Sequence, residues 1–291
     1  MHNFDKKKHS NYGILYVVAT PIGNINDITY RAVDILSKVY LIATEDTRHS
    51  KKILNFYGIK TKQISYHKYN ENERSEYLID LLIKGESIAL ISDAGTPSIS
   101  DPGDILISEA HKKNIMVSPV PGASSVISAI SASGQASNDF KFIGFLPKKI
   151  SQKVNILKKH NNNNYSLIFF ESPNRVLSTL EELKGIYDGE KELIIAREIT
   201  KIYEDINICS INNWIEYYNF NENEKLKGEF VFIIPKIEAI ENKVPDSEIE
   251  DFIKLLLEND ISYNVSVKVA CKHFEVKKNV IYKKYMNLAK K

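Results

Sequence analysis

The sequence predicts an α/β fold: two α/β domains followed by a small helical module. Short apolar runs alternate with amphipathic runs from residue 14 onward. The strongest of those runs are apolar at every position, and such strands need cover on both faces, as in a parallel sheet with helices on either side. After residue 245 the pattern changes to short amphipathic segments, Lys-rich beyond residue 260.

Taken in order, "ILYVVAT" (14–20) reads as a buried strand and "TYRAVDILSKV" as a helix. "YLIAT" (40–44) follows as a strand, then "TRHSKKILNFYG" as a helix closed by Gly58. "QISYH" (63–67) is a weaker strand, 71–84 an acidic helix, "SIALIS" (87–92) a strong strand and 104–113 a helix. "IMVSPV" is a strand, and "ASSVISAISASG" is a small-residue helix ended by Gly134. These elements assign a first α/β domain to residues 12–135. In a second, at 136–236, "FKFIGFL", "SLIFFE" and "ELIIARE" read as strands with helices at 150–160 and 175–187. "KIYEDINICSI" and "GEFVFIIP" read as strands around a helix at 211–218. Consecutive strands of this kind predict a mixed sheet. Residues 235–245, bounded by prolines, read as a linker, and 246–291 as three short helices resembling a helix-turn-helix.

With 291 residues, 43% hydrophobic and 26% charged, the chain has the composition of a soluble globular protein. No apolar run approaches the roughly 20 residues of a membrane helix. The start, "MHNFDKKKHSNY", has no apolar core and reads as no signal peptide, so a cytoplasmic protein without membrane contact is expected. Cys209 and Cys271 are far apart and the seven histidines are scattered, so no metal is expected. Net charge is +2, but residues 261–291 carry eight Lys against one Glu, leaving −5 on the rest. Either a polyanion partner or a solvated helix accounts for that basic end. Arginine is scarce: Arg31, Arg48, Arg74, Arg175 and Arg197 stand against 34 lysines. Where lysine is the default cation, a retained arginine points to a need for its planar fork of donors.

Five polar loops follow strand ends directly: 19–24, 43–48, 92–103, 119–125 and 171–175. In open parallel sheets, ligands bind outside those ends. Neither Gly-x-Gly-x-x-Gly after the first strand nor Gly-x-x-x-x-Gly-Lys-Ser/Thr occurs, so a ligand held by its phosphates is not indicated. "SDAGTP" suits a zwitterionic or sugar-bearing ligand: Asp93 accepts from an ammonium or a diol, Gly95 admits backbone, and Thr96 offers a hydroxyl. The plainer reading, a turn with Asp101 as N-cap and Pro102 in the first helical position, accounts for "SDPG" but poorly for "SDAGTP".

"LYVVATPIGNINDITYRAVDIL", "IATEDTRHSKKIL", "ALISDAGTPSISDPG", "VPGASSVISAISASG", "FIGFLPKK", "FFESPNR" and "AREITKIYED", in this order, resemble the ribosomal RNA small subunit methyltransferase I family, within the tetrapyrrole-methylase superfamily of class III methyltransferases. The resemblance runs from about residue 12 to 235. It implies S-adenosyl-L-methionine bound in a cleft between the two domains, and 2′-O-methylation of cytidine 1402 in 16S rRNA, within the 30S subunit, by a homodimer. Carried over, the donor contacts fall on Ile22, Asp93, Gly95, Thr96, Ser124, Ser125, Phe170 and Ala196. The porphyrin and diphthine enzymes of the superfamily carry a Gly-rich first loop ending in Asp. Pro21-Ile22-Gly23-Asn24 stands here instead, which argues against a porphyrin substrate.

Methyl transfer to a ribose hydroxyl needs alignment and a positioned base. Glu45, Asp46, Arg48 and Arg197 are the candidate catalytic residues, with Glu171, Arg175 and Glu198 also able to face the cleft. The alternative for each is a structural ion pair, and the base stays unassigned. For the whole chain, the alternatives are a small-molecule methyltransferase and a non-catalytic RNA-binding protein. On an rRNA enzyme the basic tail reads as a backbone-gripping module. Trp214, Tyr217 and Tyr218 read as core or interface, with base stacking as the lesser reading.

Overall fold

The structure, a computed structural model, describes residues 11–134, 139–161, 164–220, 227–236 and 246–274, with Ile281, Lys284 and Tyr285. The chain divides into two compact units, Met1–Lys236 and Ile237–Lys291.

In the larger unit, β1 (Ile14–Val18), β2 (Leu41–Thr44), β3 (Gln63–Ser65), β4 (Ile88–Ile91) and β5 (Met116–Val120) form a sheet in the order β3-β2-β4-β1-β5. All its pairings are parallel. Every residue of β2 and β4 is buried. Their alternating side chains feed two separate cores. Ile88 and Leu90 pack with Leu78 and Leu106, from α3 (Glu71–Ile83) and α4 (Asp104–Lys112). Ala89 and Ile91 pack with Leu36 and Leu54, from α1 (Tyr30–Lys38) and α2 (Thr47–Phe56). Local chemistry starts and stops these helices. Thr29 caps α1 by accepting from the Ala32 N–H at 3.1 Å, and Gly58, at φ +67°, follows the end of α2.

The strand order creates a switch point. After β1 the chain leaves toward β2, and after β4 it leaves toward β5 on the other side. The loops after these two adjacent strands therefore diverge and open a crevice at the carboxyl edge. One pair of backbone hydrogen bonds between Thr20 and Gly95, 2.9 and 3.0 Å, ties the loops together across it.

The second sheet is mixed, as the consecutive strands predict. Its order is β6-β7-β10-β8-β9, from β6 (Phe140–Phe145), β7 (Ser166–Glu171), β8 (Glu192–Arg197), β9 (Asp205–Ser210) and β10 (Phe230–Ile234). Only the β6–β7 pair is parallel. One face packs on α6 (Ile150–Lys159), α7 (Val176–Lys184) and α8 (Ile211–Phe220) through Leu157, Leu180 and Trp214. The other face, with Ile168, Ile194 and Val231, packs on Val126, Ala129 and Ile130 of α5 (Ser125–Ala132) and on Ile22. The last helix of the first sequence segment thus serves as the cover of the second sheet.

Two readings change. The N-cap of α4 is Gly103, and Asp101 lies outside the helix, so the Asp101-cap and Pro102-first-turn reading is not what the chain does. The strand read from "KIYEDINICSI" begins only at Asp205, because residues 200–203 turn. Trp214 and Tyr218 are core residues, as read: they are buried and stack on each other, with Trp214 Nε1 donating to Leu193 O at 2.8 Å.

In the smaller unit α9 (Asp246–Glu258) and α10 (Tyr263–His273) enclose their own core of Ile249, Ile253, Val267, Ala270, Ile281 and Tyr285. The third helix of the tail and Lys277, Lys278 and Lys283 lie outside the described residues. No described helix is long and apolar enough to cross a membrane.

Candidate active site

A cavity of about 450 Å³ lies at the carboxyl edge of the first sheet, walled on its other side by the second. All five strand-end loops reach it. The first sheet contributes Ile22, Glu45, residues 93–96 and 99–101, and Ser124 to Val126; the second contributes Phe145, Phe170, Glu171 and Phe230. Ile22, Asp93, Gly95, Thr96, Ser124, Ser125 and Phe170 therefore share one cavity. Ala196 is not in its lining: it is buried in β8, directly across from Val231, which is.

The backbone explains this convergence. Gly95 has φ +77°, where a side chain is strained, and a Cβ there would meet Ile22 Cγ2 at 3.3 Å. Ser98 and Ser100 are also held at positive φ, +68° and +70°, which marks the loop as one whose shape is imposed by its surroundings. Thr96 Oγ1 donates to Ala123 O at 3.3 Å, joining the loop after β4 to the loop after β5. Asp93 Oδ1 accepts from the Asp46 N–H at 3.0 Å, joining it to the loop after β2.

Of the four candidate catalytic residues, only Glu45 lines the cavity. Asp46 caps α2, accepting from the Arg48 N–H at 2.8 Å and pairing with its guanidinium at 3.0 Å. The hydrogen bond from the Arg48 side chain, then the one from its N–H, draws the Asp46 carboxyl down to about 2. The Arg48 side chain is 91% exposed. Arg197 Nε donates to Lys227 O at 2.9 Å, and its guanidinium lies 5.8 Å from the centre of the Phe230 ring. Glu171 is held by Arg175 at 2.9 Å and Thr179 at 2.7 Å, and Glu198 pairs with Lys201 at 2.8 Å.

The lining holds five carboxylates, Glu45, Asp93, Asp101, Glu171 and Glu229, and among the described residues no Lys, Arg or His. Burial, then repulsion by Asp93, raises Glu45, against a smaller opposing effect of His67. Asp101 is pushed up to about 6 by burial first, then by Glu45 and Asp93, with a hydrogen bond from Ser92 opposing. Sequence reasoning gave Asp101 only a capping role, and it passed over Phe145. The isolated Gly144 inside an apolar strand was the available signal for a bulge there. No group of three or more His, Cys, Asp or Glu able to hold a metal ion occurs among the described residues.

This lining fits S-adenosylmethionine. The lining carboxylates not held by a Lys or Arg, Glu45, Asp93 and Asp101, suit a sulfonium and an ammonium, the apolar walls of Ile22, Val126, Phe170 and Val231 suit an adenine, and the volume is that of a small-molecule site.

The profile of the tetrapyrrole (corrin/porphyrin) methylases matches residues 14–213. The chain is 39% identical to a ribosomal RNA small subunit methyltransferase I from Vibrio cholerae, over 93% of each chain. It is 41% identical to the protein of that name from Haemophilus influenzae, over 93% of this chain and 95% of the relative. For the Streptococcus pyogenes protein the identity is 38% over 98% of each. Among solved structures, diphthine synthase superposes with a TM-score of 0.60 at 13% identity, over 77% of this chain and 90% of that one. Uroporphyrin-III-C-methyltransferase from Thermus thermophilus gives 0.53 at 16%, over 77% and 94%.

Proposed function

The chain belongs to the tetrapyrrole (corrin/porphyrin) methylase family, in its ribosomal RNA small subunit methyltransferase I branch, and we propose from this that it methylates 16S ribosomal RNA with S-adenosylmethionine as donor. The proposed acceptor is the ribose 2′-hydroxyl of cytidine 1402, presented within the 30S subunit. The observation that carries the reading is the cavity itself, acidic, half apolar and without a basic side chain among its described lining residues. A protein that only binds RNA has no use for such a cavity, and Pro21-Ile22-Gly23-Asn24 in place of a Gly-rich first loop ending in Asp speaks against a tetrapyrrole.

The donor supplies an electrophilic methyl group on a sulfonium. Asp93, Gly95, Thr96 and the Ser124-Ser125 pair are the residues proposed to hold it. The chain's own task is then to orient a ribose and accept its proton. Glu171 is engaged by Arg175 and Thr179, Glu229 pairs with Lys201 at 3.0 Å, and Asp93 holds the Asp46 N–H. Glu45 and Asp101 remain. A base works best when its pKa lies just below the working pH, and Asp101, at about 6, meets that condition. We assign the proton to the Asp101 carboxylate, with Glu45 raising its basicity by repulsion. Arg48, exposed three residues beyond Glu45, is the guanidinium proposed to meet RNA phosphates.

The test uses 30S subunits from a strain lacking this gene, incubated with the purified protein and donor. Primer extension at limiting nucleotide should then stop at position 1402 only when both are present. Methyl incorporation elsewhere in 16S rRNA would refute the site; none at all would refute the rRNA reading.

A further inference from the structure

The second sheet carries an irregularity at the cavity. β6 pairs regularly with β7 at Phe140, Lys141 and Phe142, then slips, so that Phe145 comes opposite Phe170. Gly144 sits at the slip with φ +68°, and a Cβ there would come within 3.2 Å of Ser100 Oγ in the loop after β4. A bulge of this kind re-aims the side chain that follows it. The Phe145 ring meets Phe170 edge-to-face at 5.2 Å between centroids, and Phe170 meets Phe142 the same way at 4.8 Å. Beyond Phe145 the chain is pinned, because Arg175 Nη2 donates to Leu146 O at 2.7 Å and Pro147 O at 3.2 Å, and Leu146 is buried. Backbone on both sides of Phe145 is thus fixed, yet the residue lines the cavity and stays 58% exposed. Ile99, from the facing loop, lines the same cavity and is 48% exposed.

We propose that Phe145 is a positioning residue: a stacking platform for the nucleobase of the nucleotide being methylated, with Ile99 as its apolar neighbour. The inference rests on the RNA reading above. A ribose that brings its 2′-oxygen into the cavity carries its base with it, one bond away. That base must leave its stack in the RNA and find another flat surface. Three aromatic rings line the cavity among the described residues. Phe230 is buried, and Phe170 is packed between Phe142 and Phe145, in T-shaped contact with both. Phe145 alone of the three presents a largely exposed ring. Stacking is tolerant of base identity, so Phe145 sets where the nucleotide lies rather than which base it is.

Phe145→Ala, Phe145→Leu and Phe145→Trp test this in the full-length protein, each checked for parental thermal unfolding. Calorimetry gives donor affinity, and steady-state kinetics on unmethylated 30S subunits give kcat and KM. Donor affinity should stay within about twofold of parental in all three, since a side chain outside the donor site leaves that binding unchanged. For Ala and Leu, kcat/KM on 30S should fall by about 5- to 150-fold, the scale of one base–aromatic stack, mainly through KM, while Trp retains it. A Leu variant as active as the parent would show that the ring is only apolar filling and overturn the proposal. Donor affinity weakened about tenfold by Ala would place the ring against the donor and also overturn it. A parental protein that leaves 30S unmethylated sinks the RNA reading, and this inference with it.

Discussion

Asp101 shares its cavity with Glu45 and Asp93, and its own burial lifts its carboxyl to about 6. A base of that pKa is ionised at neutral pH but still takes up a proton readily. Parental kcat should therefore fall as pH drops through about 6, and Asp101→Asn should lower kcat about 10²- to 10⁴-fold at pH 8 and abolish that acid limb. Stability should move the other way. A pKa raised on folding contributes stability that is fully present below the unfolded value, 3.8, and is lost as pH rises through about 6. At pH 8 the ionised carboxylate is a burden on the fold. Asn should then raise stability by about 1 kcal/mol, a figure discounted for the residue's partial exposure. Thermal unfolding of both proteins at pH 8 checks the sign. A variant that is both less stable and fully active would remove Asp101 from the proposed role. None of this was legible from "SDPG", where a cap and a base look alike.

α6 and α7 show an element fixed by charges that no periodicity reveals. Lys153 is 2% exposed, and its Nζ lies 2.7 Å from Glu182 and 2.9 Å from Thr179 Oγ1. Thr179 in turn donates to Glu171 at 2.7 Å, so the network runs from the interior of α6 to a carboxylate in the cavity wall. Each hydrogen bond sets the direction of the next: with Lys153 donating to it, the Thr179 hydroxyl is free to donate to Glu171. Lys153→Met removes one charge of a buried pair and should destabilise by about 3–5 kcal/mol in urea unfolding. Lys153→Met with Glu182→Leu should recover a large part of that stability, because no buried charge is then left alone. If the double variant is no more stable than the single one, the pair is not what holds α6 in place. Elements such as β2 and β4 were legible because complete burial imposes a continuous apolar run. α5 was legible as a helix, but not as the cover of the second sheet, since its small residues fit either partner.

For the whole molecule the telling feature is the contrast between an acidic cavity and a basic end. Eight Lys against one Glu after residue 260 make that end of the chain basic, and we propose that it grips RNA backbone, while α9 and α10 share a core of their own. Deleting residues 246–291 should leave a folded protein with parental donor affinity. Its RNA binding should be weaker and less sensitive to salt, the log–log slope falling by about 0.7–0.9 for each phosphate that the tail no longer neutralises. Both quantities are measured on one truncated sample. Unchanged donor binding with an unchanged salt slope would assign the basic end to solubility alone.

By itself the sequence determined the alternation of strands and helices, the five polar loops at strand ends, and the ordered motifs that mark the family. Each of these is a local property, written in the periodicity of burial or in turn chemistry over a few residues. The tertiary structure alone decided which carboxylates are spent on cations and which remain open to the cavity. It also set Ala196 behind the cavity wall and used the slip at Gly144 to turn Phe145 into the cavity. Those outcomes depend on residues far apart in the chain meeting, such as Gly144 against Ser100 and Asp93 against Asp46, and no local pattern records which distant partner a side chain will meet.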